Sequence, residues 1–579
     1  MIKLFFISLL SAVSLSVCSG NQPETKDDIF KFSHSGLLST DKARYGQGET
    51  VIFNFDKNIP AGSMVRYRHL DKIIEEKPIT EKTWTWIPPS TDFKGYLVEL
   101  YTILDGNEKI IGSVGVDVSS DWTRFPRYGF ISKYNTMSES EINAIIENLN
   151  KFHINGLQFY DWLSDHHKPL AGTPENPSES WLDIGGRTNT SATIKTYIAA
   201  AKKHNIASMW YDLCYGALQN ALADGVQEEW YMFKDANGAS KVGIQLSEPF
   251  RSNIYLVNPN NAGWLDYFSN QVKDVYSVYD FDGFHIDQLG NQGTVFDYNG
   301  SQINLPDGFE AFIQRMKSDF PHKRHAFNAV SGYGQHKIAI SGVDFIYNEI
   351  WSEEPNYADL KTIIDINYSI NNNLNCVFAA YLNYNLGNKM GMFNTPGVLM
   401  ADAIMFALGA SHIELGEHML THEYFPNDNL SMDKTLETNL IRYYDFLVAY
   451  QNILRDGGEF NEVFVSSTNN SAQVQSWTPA LGKIVTLSKK VGNKQIIHLF
   501  NFVNAKHLQW RDPDGTQPEP RLQQNIDLQI NMSQNVSKVW TATPDPEGKM
   551  YEEIDFSVGT GNITLTIPTL KYWTMLVIE

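Results

Sequence analysis

Two carboxylates stand out for the text around them. Asp287 closes the apolar run in "DGFHIDQLG" (282–290), with Phe281, Phe284 and Ile286 leading in and a glycine-bearing loop directly after. Glu349 sits near the end of "VDFIYNEIW" (343–351), 62 positions later. A carboxylate at the end of a buried strand either ties the strand to its loop or is held there to react. Two such acids on one cleft supply what glycoside hydrolysis needs, one to attack or to activate water and one to protonate the leaving oxygen. Similar apolar runs end in Asp161 and Trp162, Tyr211 and Asp212, Asn328, Trp351, Tyr381 and Asn383, and Glu414 with Glu417. Carboxylates and amides bridge vicinal hydroxyls, and indole and phenol rings stack on the apolar face of a sugar. The set suits a neutral carbohydrate.

Those residues must be carried by elements. Eight strand-like runs, at 127–132, 154–162, 206–213, 282–289, 324–330, 343–351, 375–382 and 410–416, are mostly separated by text of helical period. The first helix shows it: Ser138 with Glu141 predicts a capping box, and Ile142, Ile145, Ile146, Leu149 and Phe152 make one apolar face. The alternation predicts a (β/α)8 TIM barrel over 120–452, in which reacting groups sit at the C-terminal ends of the strands. A doubly wound open sheet competes, but no glycine-rich phosphate loop follows the first strand. In the barrel, Asp287 ends strand four and Glu349 strand six. Adjacent strands lie about 4.8 Å apart, so side chains leaning inward from next-but-one strands bring their carboxyls to about 5 or 6 Å, on the retaining side of the two hydrolytic geometries.

On either side of the barrel the text alternates with period two. Pieces such as "ETVIFNF", "TWTWIPP" and "GYLVELYTI" predict an N-terminal immunoglobulin-like β-sandwich over 31–119, and "GKIVTLS", "KQIIHLFNF" and "LKYWTMLVIE" a C-terminal β-sandwich over 453–579. The first residues, "MIKLFFISLLSAVSLSVCSG", have a lysine, a short apolar stretch and a cysteine. They predict a signal peptide over 1–17, acylation of Cys18, and a linker over 18–30, with the exported protein anchored by its lipid to a bacterial outer membrane, on the cell surface or the periplasmic face. Cys214 and Cys376 are the remaining cysteines, too few for a disulfide framework. With 46 Lys and Arg against 66 Asp and Glu, a net charge of −20, and no basic run, nucleic acid is excluded as a partner. The protein is expected to be a monomer that meets the membrane only through Cys18.

The phrases "RYGFIS", "QFYDWLSDHHKPL", "DGFHIDQLG", "YNEIW" and "GASHIELGEHMLTHEYFPN" resemble the motifs of glycoside hydrolase family 66, the dextranases and cycloisomaltooligosaccharide glucanotransferases. The resemblance covers the barrel and has the flanking sandwiches in the expected order. It implies that Asp287 is the nucleophile and Glu349 the acid/base of a retaining endo-attack on α-1,6-glucosidic bonds of dextran, releasing isomaltooligosaccharides. Cyclising members of the family carry a domain inserted after the seventh strand, for which "AAYLNYNLGNKMGMFNTPGVLMADAIMFALGA" leaves no room, so hydrolysis is expected over cyclisation. A retaining enzyme can still pass its glycosyl intermediate to a sugar hydroxyl.

Further expectations attach to the rim. Asp161 and His166 should hydrogen-bond the glucose beside the scissile bond, with Trp162 stacking on or walling its ring. Asn328 should orient the 2-hydroxyl or a carboxylate, and Tyr211 and Trp351 should also contact substrate. The Glu349 pKa should be raised by burial and by the Asp287 charge. His285-x-Asp287 with His166 and His167 would suit a metal, but the remaining histidines lack ligand spacing and metal-free hydrolysis explains the acids; no metal or cofactor is expected. A non-catalytic glucan-binding lipoprotein is the other competing reading, and both acids in their motif contexts argue against it.

Overall fold

The computed structural model describes residues 36–469, 473–532 and 535–579. The leader expected at 1–17, the linker and Cys18 lie outside them. No helix among the described residues is long and apolar enough to cross a membrane.

At the centre is one parallel sheet of eight strands: β1 (Tyr128–Ile131), β2 (Gly156–Phe159), β3 (Ala207–Leu213), β4 (Gly283–Asp287), β5 (Arg324–Val330), β6 (Ile346–Glu349), β7 (Cys376–Ala379) and β8 (Ser411–His412). Spatial order equals chain order. Each strand is followed by a helix: α1 (Glu139–Lys151), α2 (Ser191–Lys203), α3 (Ala262–Val278), α4 (Leu305–Asp319), α5 (Gln335–Ile340), α6 (Tyr357–Ile370), α7 (Thr395–Ala407) and α8 (Lys434–Ala449). The sheet curls until its edges almost meet, where the Phe130 N–H donates to the Leu415 carbonyl at 3.0 Å and the Ser411 hydroxyl to the Pro126 carbonyl at 2.7 Å. This is the (β/α)8 arrangement, nearly closed.

Helix α1 starts as its sequence dictates. Ser138 accepts from the Glu141 N–H while the Glu141 carboxylate accepts from the Ser138 N–H, and Ile142, Ile146 and Leu149 are buried beneath. Several strands are shorter than the apolar text. β2 ends at Phe159 rather than 162, because Asp161 takes a left-handed backbone (φ +46°) that turns the chain away. β7 and β8 stop at Ala379 and His412, where their ladder partners run out.

N-terminal to the barrel are two antiparallel sheets, one of Leu38–Thr40, Val51–Phe55 and Thr83–Trp86, the other of Met64–His69, Lys72–Pro78, Lys94–Leu104 and Asn107–Val118. Their inner faces meet through aromatic rings: Tyr67 stacks on Trp86 at 4.3 Å and Tyr96 meets Trp86 edge-on at 5.2 Å. C-terminal to the barrel, a seven-stranded and a four-stranded sheet close over Ile497, Leu499, Leu528, Ile530 and Leu565.

Helix α8 joins the three parts. The Arg442 guanidinium and the Tyr443 hydroxyl bond to Pro544 and Asp545 of the C-terminal sheets. The Tyr444 hydroxyl donates to Glu414 at 3.0 Å. Asp445 accepts from the Gly115 N–H at 2.8 Å and pairs with His153 at 2.8 Å. Gly115 has no side chain for a steric reason: a Cβ there would lie 2.6 Å from the Asp445 carbonyl oxygen. Close by, fully buried Arg127 and Asp117 form an ion pair at 2.9 Å, and the Gln451 amide donates to Asp117 at 2.9 Å.

Candidate active site

Strand alternation sorts the residues of β4. Phe284 and Ile286 point out to the helices, Phe284 stacking on Trp210 at 3.9 Å and facing Phe268 and Phe312. His285 and Asp287 point into the barrel. There His285 lies against Tyr128, Tyr211 and Tyr347, rings from three other strands, with its Nδ1 3.3 Å from the Tyr128 hydroxyl. Burial pulls its pKa down to about 3, so the imidazole is neutral. The barrel centre is thus filled by polar-tipped rings.

Above that layer the two acids converge on one amide. Asn328, at the inner face of β5, donates from Nδ2 to Asp287 Oδ1 at 2.8 Å and to Glu349 Oε2 at 2.9 Å. Asp287 also accepts from the Tyr211 hydroxyl at 2.7 Å and the Gln288 N–H at 2.8 Å. Glu349 accepts from the Tyr381 hydroxyl at 2.6 Å. Burial raises both carboxyls. For Asp287, the three donors pull against burial; for Glu349 the Asp287 charge adds to it, and the pKa reaches about 7. Asp287 has three donors and Glu349 two, so hydrogen bonding favours the ionised form more at Asp287 than at Glu349.

A cleft of about 280 Å³ opens over the pair. Gln158 and Tyr160 from the β2 end, Tyr211, Tyr347, Trp351, Tyr381, Glu423 and Phe425 form its walls. The Tyr160 ring stacks on Phe425 at 4.4 Å and leans on Tyr211 at 5.1 Å. A larger groove of about 770 Å³ on the C-terminal sheets holds Asp527, Glu552, Glu553 and Asp555. The smaller cleft is the one lined by Asp287, Asn328 and Glu349.

Of the residues singled out from the sequence, Asp287, Glu349, Asn328, Tyr211 and Trp351 come together here. Trp162 does not. It is fully buried, packed edge-on against Trp181, Trp210 and Tyr279, because the left-handed turn at Asp161 folds it under the loop. Its place in the core corrects the expectation of a stacking platform. His166 is also buried, its Nδ1 2.7 Å from Asp212, and lies outside the cleft wall. Asp161 is buried near Arg187 and Asp183, and burial raises its pKa to about 7, with the Asp287 charge a smaller contribution. Gln158 and Tyr160 went unnoticed, although positions 158 and 160 alternate with the outward Phe159 and a period-two count would have found them. Glu423 comes from the loop after β8, inside the phrase "GASHIELGEHMLTHEYFPN", but no strand period there marks it as facing the cleft.

Two groups of ligand-type side chains occur among the described residues, and neither includes Asp287 or Glu349. In the first, Asp165 and Asp224 are paired with Arg251 and Lys168, cations that compete with a metal. In the second, His412 lies between Asp402 at 2.8 Å and the Ala380 carbonyl at 2.7 Å, with Glu414 beyond; the carboxylates raise its pKa to about 10 against burial. Both ring nitrogens then donate, which leaves none for a metal.

The sequence from 40 to 577 matches the family model described as glycosyl hydrolase family 66. A cycloisomaltooligosaccharide glucanotransferase of Niallia circulans is 27% identical, over 93% of this chain and 71% of its own length. A dextranase of Streptococcus salivarius is 22% identical over 91% of this chain and 71% of its own length. Among solved structures, a Paenibacillus cycloisomaltooligosaccharide glucanotransferase complexed with cycloisomaltoheptaose superposes with a TM-score of 0.83 at 25% identity, over 94% of this chain and 99% of the other.

Proposed function

The chain belongs to glycosyl hydrolase family 66 and is a glycoside hydrolase, and from that footing we propose that it cleaves α-1,6-glucosidic bonds inside dextran with retention of configuration, releasing isomaltooligosaccharides. The observation that carries this reading is the Asn328 amide shared by Asp287 and Glu349. One amide nitrogen within hydrogen-bond reach of both keeps the bonded oxygens within about 6 Å, nearer the retaining spacing than the wider one that admits a water between acid and base.

In the first step the Asp287 carboxylate attacks the anomeric carbon while Glu349 gives its proton to the departing glycosidic oxygen. In the second, Glu349, now ionised, takes a proton from water, whose oxygen displaces Asp287. Tyr211 and the Gln288 N–H keep Asp287 ionised and aimed, and Tyr381 holds Glu349. Tyr160 and Trp351, both half-buried in the cleft wall, offer ring faces to the sugars.

The glucanotransferases among its relatives favour a second reading, cyclisation of the glycosyl intermediate. Against it, residues 380–410 between β7 and β8 hold little more than a short turn and α7, with no inserted domain. Chromatography of the products from dextran, with pullulan and starch as controls, decides: linear isomaltooligosaccharides from dextran alone support hydrolysis, cyclic products support transfer, and cleavage of starch instead would sink both. The leader and Cys18 support an exported, lipid-tethered enzyme, which labelling with a radioactive fatty acid and its loss in Cys18→Ala would test.

A further inference from the structure

The loop between the C-terminal strands Lys494–Asn501 and Gln523–Asn531 does not stay with its own sheets. Its stretch "HLQWRDPDG" (507–515) lies on the barrel loops that follow β6 and β7. The Trp510 N–H donates to the Pro355 carbonyl at 3.2 Å, the Tyr357 N–H to Leu508 at 3.0 Å, the Asn383 N–H to Arg511 at 2.9 Å and the Asn385 N–H to Pro513 at 3.0 Å. Two fully buried side chains lock it. Trp510 Nε1 donates to the Glu354 carbonyl at 2.5 Å, while Asp512 accepts from the Thr516 N–H at 2.7 Å and from Asn394 at 2.6 Å.

Between these two anchors stands Arg511. Among the described residues its guanidinium makes one hydrogen bond, from Nη2 to the Ile350 carbonyl at 2.8 Å, next in the chain to Glu349. Among the described residues no carboxylate comes within the 4.0 Å of an ion pair. Rings surround it instead: Trp510 at 5.0 Å, Tyr384 at 5.3 Å and Trp351 at 5.8 Å. Burial lowers its pKa, and Tyr381, Tyr384, Glu423 and Glu349 pull the other way, so its electrostatic surroundings are the Glu349 side of the cleft. A guanidinium has five N–H donors, and those of Arg511 that protein leaves unbonded are not closed off in the interior. Mounted between two locked anchors, bonded to the residue after Glu349 and beside the cleft-wall ring of Trp351, Arg511 has its remaining donors free for a ligand.

We propose that Arg511, supplied by the C-terminal domain, binds vicinal hydroxyls of the glucosyl unit on the leaving side of the scissile bond, and of the sugar that replaces water when the intermediate is transferred. The proposal rests on the reading of Glu349 as the acid, since the group that protonates the leaving oxygen stands on the leaving side. In the transfer step a hydroxyl of the bound sugar gives its proton to Glu349 as its oxygen bonds to the anomeric carbon, and the bond to Asp287 breaks to regenerate the carboxylate. Arg511 therefore tunes how often the intermediate goes to sugar rather than to water.

The test uses the full chain with Arg511→Gln and Arg511→Lys. Each is assayed on dextran, on p-nitrophenyl α-isomaltoside, whose leaving group has no sugar hydroxyls, and for the ratio of transfer to hydrolysis with added isomaltose. Expected for Arg511→Gln is a loss of about 10- to 100-fold in kcat/KM on dextran, carried mainly by KM, with the loss on the aryl substrate at least about tenfold smaller. The transfer ratio should fall about tenfold, and Arg511→Lys, with its charge but not its fork, should lie between. Equal losses on both substrates mean that Arg511 only holds the loop, and dextran kinetics and transfer within twofold of wild type mean that it touches no sugar; either overturns the proposal. Should Arg511→Gln fold poorly, the ratios for Arg511→Lys decide in the same way. If the wild-type protein cleaves neither substrate, the hydrolase reading falls and this proposal with it, which separates the two failures.

Discussion

Asn328 has two amide hydrogens, and both are engaged by carboxylates. That arrangement makes the pH dependence a property of three residues. Glu349 must be protonated to work, and burial with the Asp287 charge holds it at about 7, so activity should disappear as pH rises through about 7. Asp287 must be ionised, and burial raises its pKa, so activity should also disappear in acid as that carboxylate takes up a proton, giving a bell. A hydrogen bond to the ionised form lowers a pKa; removing the shared donor in Asn328→Ala should move both limbs of kcat/KM against pH upward, and unmoved limbs would show that the amide does not govern the pair. Asp287→Ala should lose several orders of magnitude in rate, stay folded and trap no glycosyl-enzyme. Glu349→Gln should retain far more activity on an activated aryl glycoside than on dextran, because a good leaving group needs little protonation. Equal losses on the two substrates would exclude Glu349 as the leaving-group acid.

At the scale of elements, the eight strands and most of their helices were legible because each apolar run has the period of its element and is bounded by polar text. Strand ends were not. Trp162 and Leu163 continue the apolar text of β2, and nothing in residue type separates an apolar residue inside a strand from one folded beneath the next loop. The decision lies in the positive φ of Asp161, a conformation that aspartate tolerates without advertising it. The acids were found because they end inward-facing alternations, whereas Arg511 arrives from another sheet and has no local pattern that ties it to Glu349. The correction for Trp162 has a measurable consequence. Trp162→Ala empties a site enclosed by four aromatic rings and should cost about 3–5 kcal/mol in urea unfolding, while the enzyme that remains folded keeps its KM for dextran. A raised KM with unchanged stability would return Trp162 to the substrate.

For the whole molecule, α8 decides the cooperativity. Four consecutive residues, Arg442 to Asp445, bond in turn to the C-terminal sheets, the barrel and the N-terminal sheets. The described parts should therefore melt in one calorimetric transition. Asp445→Ala strands the Gly115 N–H and His153 in the interior and should lower that transition, at a cost of about 3 kcal/mol, leaving kcat as it is. Separate transitions in the wild type would show that the parts are independent. The same helix sets a timetable. Gly115 meets Asp445 across 330 positions of chain, and at a synthesis rate of about 5–20 residues per second the ribosome needs roughly 15 to 70 s to deliver the partner after the glycine has been made. For that interval the face of the N-terminal sheet destined for α8 is open to whatever else is nearby, so the yield of active protein should depend on translation speed, growth temperature and attendant chaperones more than on the stability of the finished fold.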